Sequence, residues 1–419
     1  MTVTHLATTA ADGAGIATRR IHEALLAAGA DSHLLVRDPG NIGPGAEVAG
    51  QPPPALTERL ARRLPFACGI RAKHARSLTA LLARPGPAPE LFSLPFARAR
   101  PEDHLRTRTA DIVHLHWVSG FVDFPRFFQP TLQPLVWTLH DQQPYLGGLH
   151  YELDYSAHPD FHPLEAECRA LKRAALARLP RAPLVIGNSR WNTDAARASG
   201  FFPPGTRFET VYYPLDTAVY TPRDKTASKV ALGLDPRTTV IGFACTSLEN
   251  TRKGLSDLLA ALRLLEALPE ITPLTLLSFG RSPSESLRAS LRSRWQHLGF
   301  LDADSVKCTA YSAMDCFVIP SRAEAFGQTA IEALASGTCV LGAQVGGIPE
   351  TMPTTSHANV LFPPGNPRAL ADRLRAVLSA VALRGTLARE GRDHVLRQHA
   401  PSGVAAQYLA LYETLTQHA

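Results

Sequence analysis

The amino-acid sequence predicts two α/β domains, each with a parallel sheet wrapped by helices. Apolar strands alternate with amphipathic helices along most of the 419 residues, and this alternation is typical of parallel sheets. The alternation stops near Pro214 and Pro222 and then starts again in the second half. The length also accommodates two large domains, because an average domain has about 150 residues.

The first half opens with a β-α-β unit. Residues 3–7 are predicted as a strand, 12–15 as a glycine loop and 17–28 as a helix with apolar side chains at helical spacing. Ser189 can cap a helix over 190–198. The other predicted strands of this half are 32–36, 111–116, 135–139, 184–188 and 208–212.

The second half repeats the alternation. Its predicted strands are 239–244, 274–278, 315–319, 339–342 and 359–361, and its helices include 255–265, 367–380 and 402–417. We therefore expect an N-terminal domain over 1–218 and a C-terminal domain over 219–395. Two such Rossmann-like domains typically face a cleft that binds the ligand.

A basic, proline-rich segment over residues 50–104 interrupts the first half and is expected to be an insertion at the edge of the N-terminal domain. Between its proline-rich runs at 52–54 and 84–89, the basic side chains are Arg59, Arg62, Arg63, Arg71, Lys73 and Arg76, against Glu58 alone. Two interpretations stay open. The segment is either a solvated helix face or a surface that contacts an anionic membrane or an anionic acceptor.

The composition excludes several classes of protein. Apolar residues make up 45% of the chain, which argues against disorder, and the six cysteines are too scattered for a disulfide scaffold. No apolar run is long enough to cross a membrane, and the N-terminus lacks the features of a signal peptide. We expect a cytoplasmic protein with reduced thiols. The net charge of +6 is too small to predict nucleic-acid binding.

The densest chemical signal runs from 320 to 338 and contains two carboxylates. Glu324 is expected on the loop after a strand, and Glu332 on the helix that follows. Carboxylates at this position suit sugar or ribose hydroxyls, because each accepts two hydrogen bonds. The start of that helix suits a phosphate through its free backbone N–H groups. These groups belong to Phe326, Gly327, Gln328 and Thr329.

This segment resembles the donor-binding motif of the retaining glycosyltransferases of family 4, which have the two-domain GT-B fold. The resemblance covers most of the chain. It includes Arg252-Lys-Gly254, Gly346-Gly-Ile-Pro-Glu350, Val113-His-Leu-His-Trp117 and Trp137-Thr-Leu-His-Asp-Gln-Gln-Pro144. The motifs of the first half look like the branch that builds bacterial exopolysaccharide of the colanic-acid type. The resemblance also implies that a helix over 396–419 returns to the N-terminal domain.

The resemblance implies roles for the donor site. Glu324 would bind the donor sugar and Glu332 the ribose, while Lys253 would bind the diphosphate and offset the charge that grows on the leaving nucleotide. Arg252 is a second clamp. The stretch 245–250 lacks the arginine that the family usually carries there, so whether Arg252 replaces it stays open.

Residues of the first half have implied roles as well. Gly13 and Gly15 would let the backbone approach the donor phosphates, although an ordinary tight turn is an equal alternative. His140 would bind a donor-sugar hydroxyl or assist the acceptor hydroxyl, and a purely structural histidine is the alternative. The segment 145–170 would line the acceptor site. The acceptor candidates are Asp141, His150, Tyr151 and Asp154.

A metal site is not expected. His114 and His116 share one face of a strand and invite a metal interpretation together with His140. No acidic or cysteine residue completes a set, and enzymes of this fold generally work without a metal. We expect no cofactor either.

The resemblance implies a retaining glycosyltransferase that moves a hexose from a nucleotide diphosphate sugar to an acceptor hydroxyl. The acceptor would be a glycan, a lipid-linked glycan or a protein in polysaccharide or glycoconjugate synthesis, with peripheral membrane contact at the cytoplasmic face. Two alternatives stay open. One is a nucleotide-sugar epimerase or a phosphorylase of the same fold, and the other is a non-catalytic relative that binds nucleotide sugars.

Overall fold

The structure is a computed structural model that describes residues 1–38, 43–50, 69–129, 133–266, 274–288 and 290–417. The chain forms two compact units. Unit 1 comprises Met1–Tyr212 together with Val404–Ala419, and unit 2 comprises Tyr213–Gly403. Across the described residues, no helix combines the length and the apolar character that crossing a membrane requires.

Unit 1 contains a seven-stranded sheet in the order β3-β2-β1-β4-β5-β6-β7, and all its strand pairs are parallel. Its strands are β1 (Thr2–Thr9), β2 (Asp31–Asp38), β3 (Ala46–Val48), β4 (Ile112–Leu115), β5 (Leu135–Leu139), β6 (Leu184–Gly187) and β7 (Arg207–Thr210). Its helices before residue 212 are α1 (Gly13–Ala27), α2 (Ile70–Leu82), α3 (Leu105–Thr109), α4 (Phe124–Phe127), α5 (Glu152–Ala157), α6 (His162–Leu176) and α7 (Arg190–Ala198).

The central strands of unit 1 form because apolar runs bury both faces of the sheet. Every residue of β4, β5 and β6 is buried, which is typical of a parallel sheet covered by helices on both sides. The helix α1 begins at Gly13, four residues earlier than predicted, because the Asp12 carboxylate accepts a hydrogen bond from Gly15 N at 3.3 Å and caps it.

The last helix, α16 (Pro401–Thr416), belongs to unit 1 from Val404 onward. Its Tyr412 hydroxyl lies 2.7 Å from His114 Nδ1, and its Tyr408 hydroxyl lies 3.3 Å from Thr138 Oγ1. All four side chains are completely buried. The expected return of the C-terminal helix to the first domain is therefore confirmed.

The described part of the basic segment includes the helix α2, and two of its cations are paired with carboxylates of unit 1. Arg71 lies 2.7 Å from Asp123, and Lys73 lies 2.9 Å from Glu167. The same Glu167 carboxylate lies 2.8 Å from His74. Arg76 also lies on α2, whereas Arg59, Arg62 and Arg63 lie outside the described residues.

Unit 2 contains a six-stranded parallel sheet in the order β10-β9-β8-β11-β12-β13. Its strands are β8 (Thr239–Ser247), β9 (Leu274–Arg281), β10 (Arg294–His297), β11 (Cys316–Ile319), β12 (Cys339–Ala343) and β13 (Leu361–Phe362). Its helices are α8 (Lys225–Ala231), α9 (Leu255–Glu266), α10 (Glu285–Arg288), α11 (Asp304–Ala313), α12 (Gln328–Ala335), α13 (His357–Val360), α14 (Pro367–Ser379) and α15 (Val381–Gln398).

Several elements of unit 2 differ from the prediction, and the edge strand β10 was not predicted. The strand predicted over 359–361 is wrong for its first two residues, which end the short helix α13, and only Leu361 belongs to β13. The helix α15 was not predicted. Only Leu387, Gly391 and Val395 of its eighteen residues are buried, so its apolar stripe is too narrow to stand out in the sequence.

Candidate active site

In unit 2, the carboxyl end of β8 presents the Arg-Lys pair on a tight turn. Asn250 caps this turn, because its side-chain oxygen accepts a hydrogen bond from Arg252 N at 3.0 Å. Gly254 closes the turn with a φ of 72°, and a Cβ atom there would lie 2.0 Å from the Pro320 carbonyl oxygen. Only glycine fits this position. The turn therefore packs directly against the segment that follows β11.

This packing brings Lys253 to Glu324. The Lys253 ammonium lies 2.5 Å from Glu324 Oε2, and Arg252 Nη1 lies 3.9 Å from the same oxygen. Glu324 is 9% exposed. Burial alone would raise the pKa of the Glu324 carboxyl, but the charges of Lys253 and Arg252 outweigh burial and hold that pKa below its usual value. Glu324 is therefore ionised at neutral pH.

The Arg252 guanidinium is tied to the same segment. Its Nη1 donates a hydrogen bond to the Ala323 carbonyl at 2.9 Å, and the Arg252 carbonyl accepts one from Arg322 N at 2.7 Å. Arg322 in turn forms a bidentate pair with Asp257 at 2.7 and 2.9 Å. This network fixes the two cations relative to Glu324.

Glycines shape the loop between Glu324 and α12. Gly327, with a φ of 111°, immediately precedes α12, and its side-chain-free backbone starts the helix without a capping side chain. Gly346 has a φ of 57°, and a Cβ atom there would lie 1.8 Å from the Glu324 carbonyl oxygen. The same oxygen accepts a hydrogen bond from Gly347 N at 3.1 Å. The Gly-Gly motif after β12 therefore positions the backbone of Glu324.

Glu332 lies on α12 and is buried. It accepts a hydrogen bond from the Tyr311 hydroxyl at 2.9 Å. The neighbouring Phe326 is also buried and contacts Tyr213 and His399 edge to face, with ring centroids 5.1 and 5.6 Å apart. Gln328 and Thr329 form the first turn of the same helix. The predicted motif is thus one continuous loop-helix segment.

In unit 1, the carboxyl ends of the strands carry the other candidates. Gly13 and Gly15 lie in the first turn of α1, directly after β1. A Cβ atom on Gly15 would lie 2.5 Å from the Thr9 carbonyl oxygen, so this helix start requires glycine for close packing on the strand. His140 and Asp141 follow β5.

Asp141 and His150 form a buried pair. Asp141 Oδ2 lies 2.7 Å from His150 Nδ1 and accepts a hydrogen bond from Trp117 Nε1 at 3.0 Å. Its Oδ1 accepts one from Gln143 N at 3.0 Å. His150 Nε2 lies 2.8 Å from Ser93 Oγ. These interactions lower the pKa of Asp141 despite its burial, and both side chains are already engaged by the protein.

Tyr151 and Asp154 flank the start of α5. Tyr151 is buried and immediately precedes that helix, and Asp154 is half-buried within it. Beside them, α5, α6 and the chain around Tyr145 enclose a groove of about 650 Å³. Its polar lining includes Glu152, Tyr155, Arg169 and Arg173.

Two buried charges near this groove were missed by the sequence analysis. The Glu165 carboxylate accepts hydrogen bonds from the backbone N–H groups of Gly147, Gly148 and Leu149. The Lys172 ammonium donates to the carbonyls of Gln143, Leu146 and Gly147. Burial lowers the pKa of Lys172 to about 7. The two side chains hold the 143–149 loop, and the Gly147-Gly148 pair was the available signal.

Four histidines cluster in or directly after the strands β1, β4 and β5. His5 Nδ1 lies 2.9 Å from His116 Nε2, and His116 Nδ1 lies 3.0 Å from His140 Nε2. His114 packs beside them, with its ring centroid 4.1 Å from that of His116. Sequence reasoning named three of these four residues but missed His5, which stands alone in a strand.

The hydrogen bonds of this cluster bear on whether its histidines could bind a metal ion. Ring nitrogens of His5, His114 and His116 lie within 4.8 Å of one another. Both nitrogens of His114 are hydrogen-bonded, to Tyr412 and to Thr138, and both nitrogens of His116 are bonded to the neighbouring histidines. Binding an ion there would require breaking these bonds.

Part of the chain is similar in sequence to known glycosyltransferases. A family model described as glycosyl transferases group 1 matches residues 238–380, which lie in unit 2. The D-inositol 3-phosphate glycosyltransferase of Jonesia denitrificans is 34% identical over 213 residues, covering 48% of this chain and 49% of the relative. The Rhodococcus jostii protein of the same name is 32% identical over 227 residues, covering 52% and 47%. The chain thus spans about half the length, or less, of the curated relatives it matches.

Solved structures match nearly the whole chain. Sucrose-phosphate synthase from Thermosynechococcus elongatus gives a TM-score of 0.69 at 22% identity, covering all of both chains. Anabaena HepE in complex with UDP and glucose gives 0.69 at 18%, covering 99% of this chain and 100% of the other. WaaG, a glycosyltransferase involved in lipopolysaccharide biosynthesis, gives 0.62 at 16%, covering 98% and 99%. These likenesses show that the chain has the GT-B fold.

Proposed function

We propose that the protein is a retaining glycosyltransferase that transfers a hexose from a nucleotide diphosphate sugar to an acceptor hydroxyl. The observation that carries the proposal is the contact between the partly exposed Lys253 and the buried Glu324, which lies within the region that matches the family model. A cation suits the diphosphate leaving group, and a carboxylate suits sugar hydroxyls.

The donor site is proposed to use unit 2. Lys253, with Arg252 behind it, binds the diphosphate, and the N-terminus of α12 adds backbone N–H groups. Glu324 binds hydroxyls of the sugar, and Glu332 binds the ribose. Because Lys253 contacts Glu324 in the protein alone, a diphosphate must share this cation with Glu324 or displace it. Lys253 is thereby held in place before the donor arrives.

The proposed transfer needs no protein nucleophile. The acceptor oxygen attacks the anomeric carbon on the same face from which the phosphate departs. The bond between the anomeric carbon and the phosphate oxygen breaks as the new glycosidic bond forms. The departing phosphate oxygen takes the proton of the acceptor hydroxyl. Lys253 offsets the charge that develops on the nucleotide diphosphate, and no metal ion is required for this role.

The acceptor is proposed to bind to unit 1, near the groove beside α5 and α6. Tyr155 is 40% exposed and offers an aromatic face to a sugar ring, while Glu152 and Arg173 offer charged hydrogen-bonding groups. We propose that the acceptor is a glycan, a lipid-linked glycan or a protein. We also propose that the protein belongs to the colanic-acid-type branch of the family.

A thermal-shift screen with UDP-, GDP-, ADP- and dTDP-sugars tests the donor proposal first. Since solved HepE structures contain UDP and UDP-glucose, we expect a UDP-sugar to stabilise the protein most. Release of free nucleotide should then depend on an added acceptor glycan. Consumption of the donor without an acceptor would favour an epimerase, a requirement for inorganic phosphate would favour a phosphorylase, and binding without turnover would favour a non-catalytic relative.

A further inference from the structure

Two consecutive hydrogen bonds join Ser93, His150 and Asp141 in unit 1. Ser93 Oγ lies 2.8 Å from His150 Nε2, and His150 Nδ1 lies 2.7 Å from Asp141 Oδ2. The hydroxyl therefore faces one ring nitrogen, and the carboxylate faces the other. Enzymes with a serine nucleophile arrange the same three groups in this order, with the histidine as base and the carboxylate orienting the histidine.

The carboxylate sets the direction of both hydrogen bonds. Burial alone would raise the pKa of the Asp141 carboxyl, but His150 and the hydrogen bonds from Trp117 and Gln143 hold that pKa below its usual value. Because an ionised carboxylate only accepts hydrogen bonds, His150 Nδ1 donates to Asp141. In the neutral imidazole, Nε2 is then an acceptor, and the Ser93 hydroxyl donates to it. His150 is therefore oriented to remove the proton of Ser93.

The backbone holds the serine and histidine segments together. Phe92 and Leu149 form an antiparallel bridge, and Ser93 N donates a hydrogen bond to the Gly148 carbonyl at 2.8 Å. A Cβ atom on Gly148 would lie 2.3 Å from the Phe92 ring, so this close approach requires glycine. The Glu165 carboxylate in turn accepts hydrogen bonds from the N–H groups of Gly148 and Leu149. The hydroxyl and the imidazole are thus held in place before any substrate arrives.

The serine is the more exposed end of this series. Asp141 and His150 are buried, whereas Ser93 is half-buried. Among the described residues, His150 is the one hydrogen-bond partner of Ser93 Oγ, so the oxygen keeps a lone pair for attack. The backbone N–H of Leu94 has no partner among the same residues. In α/β-hydrolases, the N–H of the residue after the serine helps to bind the oxyanion, and Leu94 supplies such a group here.

We infer that Ser93, His150 and Asp141 form a second catalytic centre, which hydrolyses a carboxylic ester. The inference does not rest on the proposed function, because this centre shares no residue with the donor site proposed for unit 2. Phe92 and Leu94 flank the serine in the chain, so its surroundings suit an uncharged acyl group better than a phosphate.

The reaction proceeds in two halves. Ser93 Oγ attacks the carbonyl carbon of the ester while His150 Nε2 takes the hydroxyl proton. The bond between that carbon and the alkoxy oxygen then breaks, and His150 gives the proton to the leaving alcohol. Water next attacks the acyl group on Ser93 and gives a proton to His150, which passes it to Ser93 Oγ as the carboxylic acid leaves. Asp141 stays ionised and stabilises the imidazolium in both halves.

Covalent labelling tests the nucleophile. In the reaction of a fluorophosphonate with an activated serine, phosphorus bonds to Oγ, fluoride leaves and the histidine takes the proton. We expect peptide mass spectrometry of the labelled wild-type protein to place the label on Ser93, and Ser93→Ala to remain unlabelled. Ser77→Ala is the matched control, because Ser77 is also half-buried but lies on α2 and has no described hydrogen bond to a histidine. Failure of the folded wild type to label at Ser93 would overturn the inference.

Hydrolysis of p-nitrophenyl acetate measures the activity itself. We expect Ser93→Ala and His150→Gln each to lower kcat/KM by about 100-fold or more. Asp141→Asn should lower kcat with little change in KM, because an amide no longer imposes the tautomer in which Nε2 accepts. Equal rates for the wild type and Ser93→Ala would contradict the inference.

Two further results keep the outcomes separate. If the His150 and Asp141 variants do not fold, the comparison of the wild type with Ser93→Ala and the position of the label still decide. A wild type that hydrolyses the ester but transfers no sugar would contradict the proposed function and support the second centre.

Discussion

The two units present polar groups at the ends of very similar parallel sheets. They offset the desolvation cost of burying these groups in different ways. In unit 2, the groups are ions that neutralise one another, with Lys253 2.5 Å from Glu324. In unit 1, ions such as Asp141 are joined by imidazoles that burial keeps uncharged, linked from His5 through His116 to His140. The comparison teaches that a buried strand end can keep hydrogen-bonding groups either as compensated charges or as neutral rings.

The two solutions also suit different ligand groups. A paired lysine can turn toward an anion, so the end of β8 suits a diphosphate. The neutral histidines after β4 and β5 carry no charge to offset an anion, so they suit hydroxyl groups. Variants that change charge should therefore act strongly in unit 2, while variants that change tautomer or protonation should act in unit 1.

The largest expected effect comes from Glu324→Ala. We expect transferase kcat to fall by about 10²–10³-fold, because the sugar loses a buried ionised acceptor. Nucleotide affinity should be kept or improved, since Lys253 no longer has Glu324 as its partner. Steady-state kinetics and calorimetric titration with UDP measure the two effects separately.

Asp372→Ala is the control for that variant, because Asp372 is an exposed carboxylate on α14 of the same unit. Unchanged kcat in Glu324→Ala would remove Glu324 from the proposed site. It would also contradict the idea that charged groups act at the sheet end of unit 2.

The next effect concerns the cation itself. Lys253→Ala should weaken binding of a nucleoside diphosphate about 10–100-fold, because one charge-assisted contact is lost. Lys307→Ala offers a matched control, since Lys307 pairs with Asp304 on α11 in the same unit. Equal affinities for the Lys253 and Lys307 variants, measured by calorimetry with UDP, would show that the diphosphate does not use this turn.

The histidine chain predicts a pH dependence of stability. Since burial lowers the pKa of His140 to about 4, from 6.5 in the unfolded state, the unfolded chain binds more protons between these values. Stability therefore falls as the pH drops below 6.5. Each such neutral histidine costs about 1.4 kcal/mol one pH unit below the unfolded-state pKa.

Urea unfolding at pH 7.5 and 5.5 measures this dependence. His5→Asn should lose less stability between the two pH values than the wild type, because one titrating ring is gone. His158→Asn replaces a histidine that is not hydrogen-bonded to His5, His116 or His140, and it serves as the control. If the wild type and His5→Asn lost equal stability, the neutral description of unit 1 would be wrong.

The smallest effect is expected for the basic segment. Arg71 and Lys73 already pair with Asp123 and Glu167, so these two side chains have little free charge to offer a lipid surface. If residues 50–104 contact anionic membranes, co-sedimentation with phosphatidylserine vesicles should be weak and should fall as salt rises. Absent or salt-independent binding would favour the solvated-face interpretation.

The sequence predicted the fold well because buried parallel strands are short apolar runs with clear ends. Residues 135–139 and 184–187, for example, are uniformly apolar or small and uniformly buried. The return of the last helix was implied only by the family resemblance. The weakly patterned helix α15 shows the limit, since few of its side chains meet the core.

The candidate sites were less predictable because their contacts join distant parts of the chain. Glu324 and Lys253 were each named from a motif, but nothing in the sequence indicated that they touch across 71 positions. His5 has no local pattern at all, and its partner His116 lies 111 positions away. Glu165 and Lys172 likewise bind backbone groups of a loop, which leave no side-chain signature.

The helix α16 has a consequence for the order in which the two units fold during translation. Unit 1 ends at Tyr212 and resumes at Val404, so translation delivers all of unit 2 before the last piece of unit 1. Until then, His114 and Thr138 lack the two tyrosine hydroxyls that meet them in the finished protein. Unit 2 can therefore finish folding before unit 1, and docking of α16 is the step that completes the fold of unit 1.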